Sequence, residues 1–506
     1  MKPAPALRVD DEPAGAGRLR RRVRVDPAAI ALGALLLATA AAKLAFAASH
    51  PLGFDELWTG MIASQRSLGG FVRQCYLDVN APLSYAVTWI WARFAGLSDD
   101  ALRFPSVVFA SAAPLLALTP NSAIPRQARL VWAALLACWI PGFVFAAEAR
   151  SYALLLFTGA GSTVAYLALL EKPSIRTALV WTTASSLLIL THYLALPLVA
   201  CQGLGYLLVH RLRAVRTWPA LAAFLPAQAS LVAHAALLLR FTGQGPAGAS
   251  PLPPGELPQL IAFLVGGGPS AWILLAWAVV AIALWRLKRG AASPTGDAPS
   301  LVWIAPATSL AATILCLAVS LAHPLIIDRY LTPMVPGVLL GIALVASKLG
   351  GRWTIAPAVL AALQFGLVVG LLPAAFHPNS RLRLEEAWSD LGAAGVQRLA
   401  FFWDSPTAAG GNTDSLAQIG GFFFRRAGRP LPVTGLILKP GEDPNPILAL
   451  GDRRAGAGIV WLSQGAAGAA ARRYPPRLER IDPAWRCRDY GTRPQLVIAC
   501  IRRAAG

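Results

Sequence analysis

The sequence is short of charge. Only 14% of its 506 residues are Asp, Glu, Lys or Arg, against about 25% in ordinary soluble proteins. Acids are the scarcer sign, 25 against 45 basic residues, so the net charge is +20. No Cys/His spacing of a structural zinc site is present, and there is no internal repeat. Hydrophobic residues make up 56% of the chain. That is too much apolar surface for a single soluble domain and rules out disorder. The charge of +20 invites a nucleic-acid reading, but that needs basic residues gathered on one folded face. They are spread between apolar runs instead.

Each of those runs is long enough to approach or exceed a bilayer crossing as a helix. They cover about residues 27–48, 101–118, 128–146, 151–170, 177–191, 193–210, 217–240, 271–285, 301–322, 331–347 and 354–373, which predicts eleven spans. Short basic connectors stay in the cytoplasm. An arm over residues 1–26 and five further connectors hold 19 Lys/Arg with six acids; the alternate connectors hold seven Arg with eight acids. The alternation has no violation, so the N-terminus is expected inside and the C-terminus outside. The inner positive charge also suits contact with anionic membrane lipids. Residues 82–96 are apolar but too short to cross, and Trp89 and Trp91 suit an interface. They predict an interfacial helix, as do residues 56–71. The first span reads as an uncleaved anchor rather than a signal peptide.

The tail over residues 377–506 differs. Short apolar runs alternate with helix-like stretches, which predicts a small α/β domain outside the membrane. Cys487 and Cys500 lie within it. They would either close a hairpin-like loop as a disulfide in an oxidising compartment or remain two thiols.

Charged residues beside membrane segments are costly, so each is a functional candidate. Four clusters fall on the outer side. Asp55 and Glu56 follow the first span; they suit either a helix N-terminus or a general base for an attacking hydroxyl. Glu148 and Arg150 follow the third span. They neutralise one another, or Glu148 steers an acceptor or joins Asp55 in holding a divalent cation. His192 and Tyr193 end another helix, as structural or pocket residues. Arg329 and Tyr330 follow Asp328. Arg329 forms a surface pair with Asp328, or it presents its planar fork to a phosphate, with Tyr330 and Arg150 beside it. Asp78 and Asn80 in the first outer loop are further pocket candidates.

In order along residues 27–373, Asp55-Glu56, "DVNAPLSYAVTWIWARFAGLSDDALRFPSVVFA", "AAEARSYALLL", "LTHYLALPLVACQ" and "DRYLTPMVP" resemble the polytopic GT-C glycosyltransferases. The likeness is to the bacterial relatives of protein O-mannosyltransferases and lipid A aminoarabinose transferase. The resemblance implies a polytopic α-helical membrane enzyme in a bacterial cytoplasmic membrane. It implies a sugar carried on a polyprenyl phosphate as donor, and a lipid, glycan or protein as acceptor. It assigns Asp55 the key acidic position, Glu148 the second, and Arg329 the lipid phosphate. Where many relatives have His-Pro-Pro, this chain has Asn80-Ala81-Pro82, so any role of that His is absent here or borne by Asn80 or Asp78. A lipid-linked-sugar flippase and a surface-polysaccharide polymerase or ligase are the alternative readings.

Overall fold

The structure is a computed structural model. It describes residues 26–48, 51–243, 257–267, 301–322, 328–349, 351–375, 383–404, 412–438, 456–464, 484–490 and 495–502. The N-terminal arm, most of the 241–256 loop, the expected span at 271–285 with its basic connector, and His323-Pro324 lie outside the described residues.

The first apolar run is α1 (Pro27–Ala48). The expected interfacial helix at 56–71 is two helices, α2 (Phe54–Ala63) and α3 (Leu68–Cys75), because Ser67 starts the second by accepting from the Gly70 N–H. α4 (Leu83–Ala95) follows and stops at Gly96, whose φ of 82° suits glycine. α5 (Asp99–Leu116) starts on Ser98, which caps Ala101, with Asp99 and Asp100 in its first turn. The run at 128–146 is broken into α6 (Arg126–Ala137) and α7 (Ile140–Ala146), bent by 52°. Pro141 at the start of α7 accounts for the break. α8 (Tyr152–Glu171) and α9 (Ile175–Thr191) match their runs. Beyond them lie α10 (Leu196–His210), a 3₁₀ stretch over Arg211–Phe224 that contains Pro219, and α11 (Leu225–Gly243). α12 (Leu257–Val265), α13 (Ile304–Ala322), α14 (Val335–Leu349) and α15 (Ala356–Ala375) complete the helical region.

Among the described residues, five helical stretches are long and apolar enough to cross a membrane, or six with α6 and α7 as one broken span. One of the five, Tyr193–Leu239, is a 47-residue stretch where two spans were expected. α9 and α15 are shorter apolar helices. α5 carries Asp99, Asp100 and Arg103.

The prolines that interrupt these helices leave identifiable gaps. A proline has no N–H, so the carbonyl four residues earlier loses its helical donor. Pro105 frees Ala101 O, which accepts from Trp91 Nε1 at 2.8 Å. Pro114 frees Ala110 O and Pro141 frees Ala137 O. Lys43 Nζ, 1% exposed, donates to both at 3.1 and 3.4 Å. A single buried cation thus ties α1 to α5 and α6 where hydrocarbon offers no other donor.

The tail holds a five-stranded sheet in the order β2-β1-β3-β5-β4. Its strands are β1 (Arg398–Asp404), β2 (Val433–Leu438), β3 (Ala457–Gln464), β4 (Trp485–Asp489) and β5 (Gln495–Arg502). β1 runs parallel to β2 and β3; β5 is antiparallel to β3 and β4. Cys487 and Cys500 face each other in the β4–β5 register and form the disulfide. α16 (Leu384–Ala393), α17 (Thr413–Gly420) and α18 (Phe422–Arg426) pack on the sheet. One face of this unit has no separate core. Phe54, Leu57 and Met61 of α2 share a buried cluster with Trp388, Phe401, Leu416 and Phe422 of the tail.

Lys43→Met should lower the thermal-unfolding midpoint in detergent, because two carbonyls lose their donor at about 1–3 kcal/mol each. The loss should shrink in a Pro114→Ala, Pro141→Ala background, where backbone N–H groups return. Additive effects of the three substitutions would contradict this account.

Candidate active site

α2 begins where the chain leaves the membrane, and its first turn carries both acids in opposite situations. Glu56 is 6% exposed. Its carboxylate accepts from Arg103 Nε and Nη2 at 2.8 and 2.7 Å, from the Gly53 N–H at 2.7 Å and from the Ala149 N–H at 2.8 Å. Arg103, 1% exposed, also donates to Pro51 O at 2.7 Å and Ala47 O at 3.3 Å. The expectation of a catalytic Glu56 is therefore corrected. Its four lone-pair positions are filled, and it is the structural anchor of the outer loops. Arg103 was not singled out from the sequence. The available signal was a charged residue one turn inside an apolar helix, which must find a partner.

Asp55 points the other way, with its side chain 54% exposed. Arg150 donates to the Asp55 main-chain oxygen at 3.0 Å, and its Nη2 lies 4.0 Å from the carboxylate. The Arg150 side chain is only 14% exposed. Burial alone would lower its pKa, but Asp55, Tyr152, Tyr85 and Asp78 outweigh that and hold it above the usual arginine value. Arg150 thus sits against Asp55 through one main-chain hydrogen bond and one long ion pair. Asp78 accepts from Tyr85 Oη and, at 3.2 Å, from Asn80 Nδ2. Asp78, Asn80 and Tyr85 form one polar group on the Arg150 side.

Glu148 lies between the two arginines. Burial pushes its pKa up to about 7, helped by Glu56 and Asp55 and opposed by Arg150 and Arg329. His192 goes down to about 4, through burial and the charges of Arg150 and Arg329, and is neutral at pH 7. Its Nδ1 accepts from the Leu194 N–H, and its ring lies 5.0 Å from that of Tyr330. Arg329 stacks over Tyr152 at 5.2 Å. The Arg329 Nε is buried and has no hydrogen-bond partner among the described residues. Tyr193 does not join this group. Its hydroxyl bonds to Ser230 and to His234 Nδ1 at 2.8 and 2.6 Å, so the expected pocket residue is a packing residue between helices.

Arg329 lines a cleft of about 450 Å³ between α7 and α12, together with Asp328, Gln259 and the apolar side chains of Pro141, Val144, Phe145 and Phe263. One positive group thus borders a mostly apolar trough, and Glu148 feels the charge of both Arg329 and Arg150. Among the described residues no group of three His, Cys, Asp or Glu is placed to hold a metal. Asp55 and Glu148 have no third ligand there.

The fold has a solved counterpart. The chain shares the fold of ArnT from Cupriavidus metallidurans. The ArnT structure bound to undecaprenyl phosphate gives a TM-score of 0.53 at 13% identity, covering 93% of this chain and 97% of that one. Its apo state gives 0.50 over 93% and 98%. Arabinosyltransferase EmbB from Mycobacterium smegmatis gives 0.39 at 15% identity, over 74% of this chain and 34% of that one. No family model matches, and no curated protein matches. The likeness to ArnT establishes a shared helical fold over 93% of the chain, in line with the sequence resemblance, and the helices long and apolar enough to cross a membrane support a multi-pass membrane protein.

Arg103→Leu should leave Glu56 buried without its cation, a loss of about 3–5 kcal/mol, and deplete folded protein from the membrane. Asp55→Asn should leave the yield and the unfolding midpoint unchanged. Equal losses in the two variants would remove the distinction drawn between these neighbours.

Proposed function

We propose that this protein is a membrane glycosyltransferase that moves a sugar from a polyprenyl-phosphate donor to an acceptor hydroxyl on the outer face of a bacterial cytoplasmic membrane. The observation that carries the reading is Arg329. Its buried Nε, unpartnered among the described residues, borders a mostly apolar cleft, which suits a ligand with a phosphate at one end and a hydrocarbon chain at the other. The ArnT structure holds a ligand of that chemistry, undecaprenyl phosphate.

In the reaction, the prenyl chain lies in the cleft and the phosphate meets Arg329, with Tyr330 beside it. Asp55, oriented by Arg150, accepts the proton of the acceptor hydroxyl. The acceptor oxygen bonds to the anomeric carbon as its bond to the phosphate oxygen breaks, which inverts that carbon. The leaving polyprenyl phosphate carries the negative charge, and Arg329 stabilises it. Neutral His192 adds no charge of its own. Holding a membrane-bound donor beside the acceptor supplies much of the rate. The positive-inside pattern and the Cys487–Cys500 disulfide both support an extracytoplasmic tail. A flippase reading has less support. Lys43 and His234, two ionisable groups well inside their expected spans, are both bonded to protein carbonyls.

The test is transfer by the full chain in lipid nanodiscs. Asp55→Asn should abolish turnover with undecaprenyl phosphate binding intact. Arg329→Ala should weaken that binding about tenfold or more, the weight of a charged hydrogen bond. Near-normal turnover in Asp55→Asn would sink the base assignment.

The proton on Glu148 gives a separate prediction. Below pH 7 Glu148 is neutral and does not oppose an anionic phosphate; above it the carboxylate repels one. Undecaprenyl phosphate affinity should therefore weaken as pH rises through about 7, relative to Glu148→Gln. Parallel pH profiles for the two proteins would refute this role.

A further inference from the structure

The tail reaches the site through its last helical turn. Arg426 of α18 donates to Asp99 Oδ1 at 2.5 Å and to Leu97 O at 3.4 Å, and it pairs with Glu385 of α16. Asp99 uses its other oxygen, Oδ2, to accept from the Leu52 N–H at 3.1 Å. Leu52 lies two residues before the start of α2. One helical turn further along α5, Arg103 holds Glu56 and Pro51 O. The first turns of α5 thus grip the entry to α2 at two points, and the outer grip is completed by an arginine from the tail. The Arg426 and Asp99 side chains are 19% and 18% exposed, sheltered enough for the pair to matter more than a surface bridge.

Other contacts run along α2, the turn after it and α3. A methyl group on Gly60 would come within 2.7 Å of the Phe422 ring. Gln65 Nε2 donates to Gln418 Oε1 at 2.7 Å. Ser415 Oγ donates to Gln74 Oε1 at 3.1 Å. Trp403 lies 5.5 Å from Phe54, the residue before Asp55.

We infer that Arg426 is a positioning residue for the transfer reaction, setting Asp55 through the Asp99–Leu52 link and the docked tail. The inference rests on the transferase reading above. Arg426 touches no reacting atom. Its loss releases the start of α2, and Asp55 leaves its productive place relative to the donor on Arg329. Misplacement by about 1 Å costs on the order of 100-fold in rate. The donor cleft is built from other elements, so donor binding is untouched.

The experiment uses the full chain in nanodiscs. Arg426→Ala should lower kcat about 10- to 100-fold with the donor KM unchanged, and Arg426→Lys should recover part of the loss. Asp99→Asn weakens the same bridge from the membrane side and should show the same split, which covers the case in which Arg426→Ala does not fold. Gln65→Cys with Gln418→Cys supplies a lock. Oxidation of that pair should restore turnover to Arg426→Ala. Without any substrate, its cross-linking yield should be lower in Arg426→Ala than in the Arg426 background. A normal kcat in Arg426→Ala or Asp99→Asn, a donor KM that moves with kcat, or a locked protein that stays slow would each overturn the inference. Equal cross-linking yields would overturn it even if no transfer is found. Transfer that persists in Asp55→Asn would instead count against Asp55 as the base, and absence of any transfer by the unsubstituted chain against the transferase reading, leaving the docking to be judged by the yield.

Discussion

Everything on the outer face depends on one buried ion pair. Glu56 and Arg103 satisfy each other and then recruit main chain from four places: the end of α1, the loop before α2, Gly53, and Ala149 in the loop that carries Glu148 and Arg150. Burying two charges is costly unless every remaining donor and acceptor is engaged, and here they are. The result is a fixed frame in which the segment that carries Asp55 and the loop that carries Glu148 and Arg150 cannot shift independently. Asp55 and Glu148 come from different segments, and the same carboxylate holds both.

The division between Asp55 and Glu56 shows what could be read from the sequence and what could not. That acids cluster outside was legible, because charge and hydropathy are local properties. Which acid is chemical and which structural was not, since the partner of Glu56 lies 47 residues away. The helices followed the apolar runs closely at α1, α8 and α9, where no residue interrupts the pattern. They departed at Pro141 and Pro219, where a continuous apolar run hides a backbone break. Tyr193 read as pocket lining because it adjoins His192, but the change of direction at the end of α9 sends the two rings to different neighbours. The alternating strands of the tail were visible. Its docking was not, because the residues that meet lie more than 300 positions apart.

The prolines follow a related logic. A helix in hydrocarbon tolerates proline where another part of the fold brings a donor to the freed carbonyl. Lys43 and Trp91 do this for three such carbonyls. The bend between α6 and α7 is therefore a held shape. It places Pro141 and Phe145 along the wall of the cleft that Arg329 also lines.

The core shared between α2 and the tail carries a consequence for how the molecule is made. α2 leaves the ribosome early, but Gln65 meets its partner 353 residues later. Long-range contacts of this kind form late. Until the tail has been made and has closed on it, the apolar side of α2 lacks the partners it shares a core with. Competence thus arrives with the completion of the chain, and a prematurely terminated product would sit in the membrane with its spans in place and its chemistry unassembled.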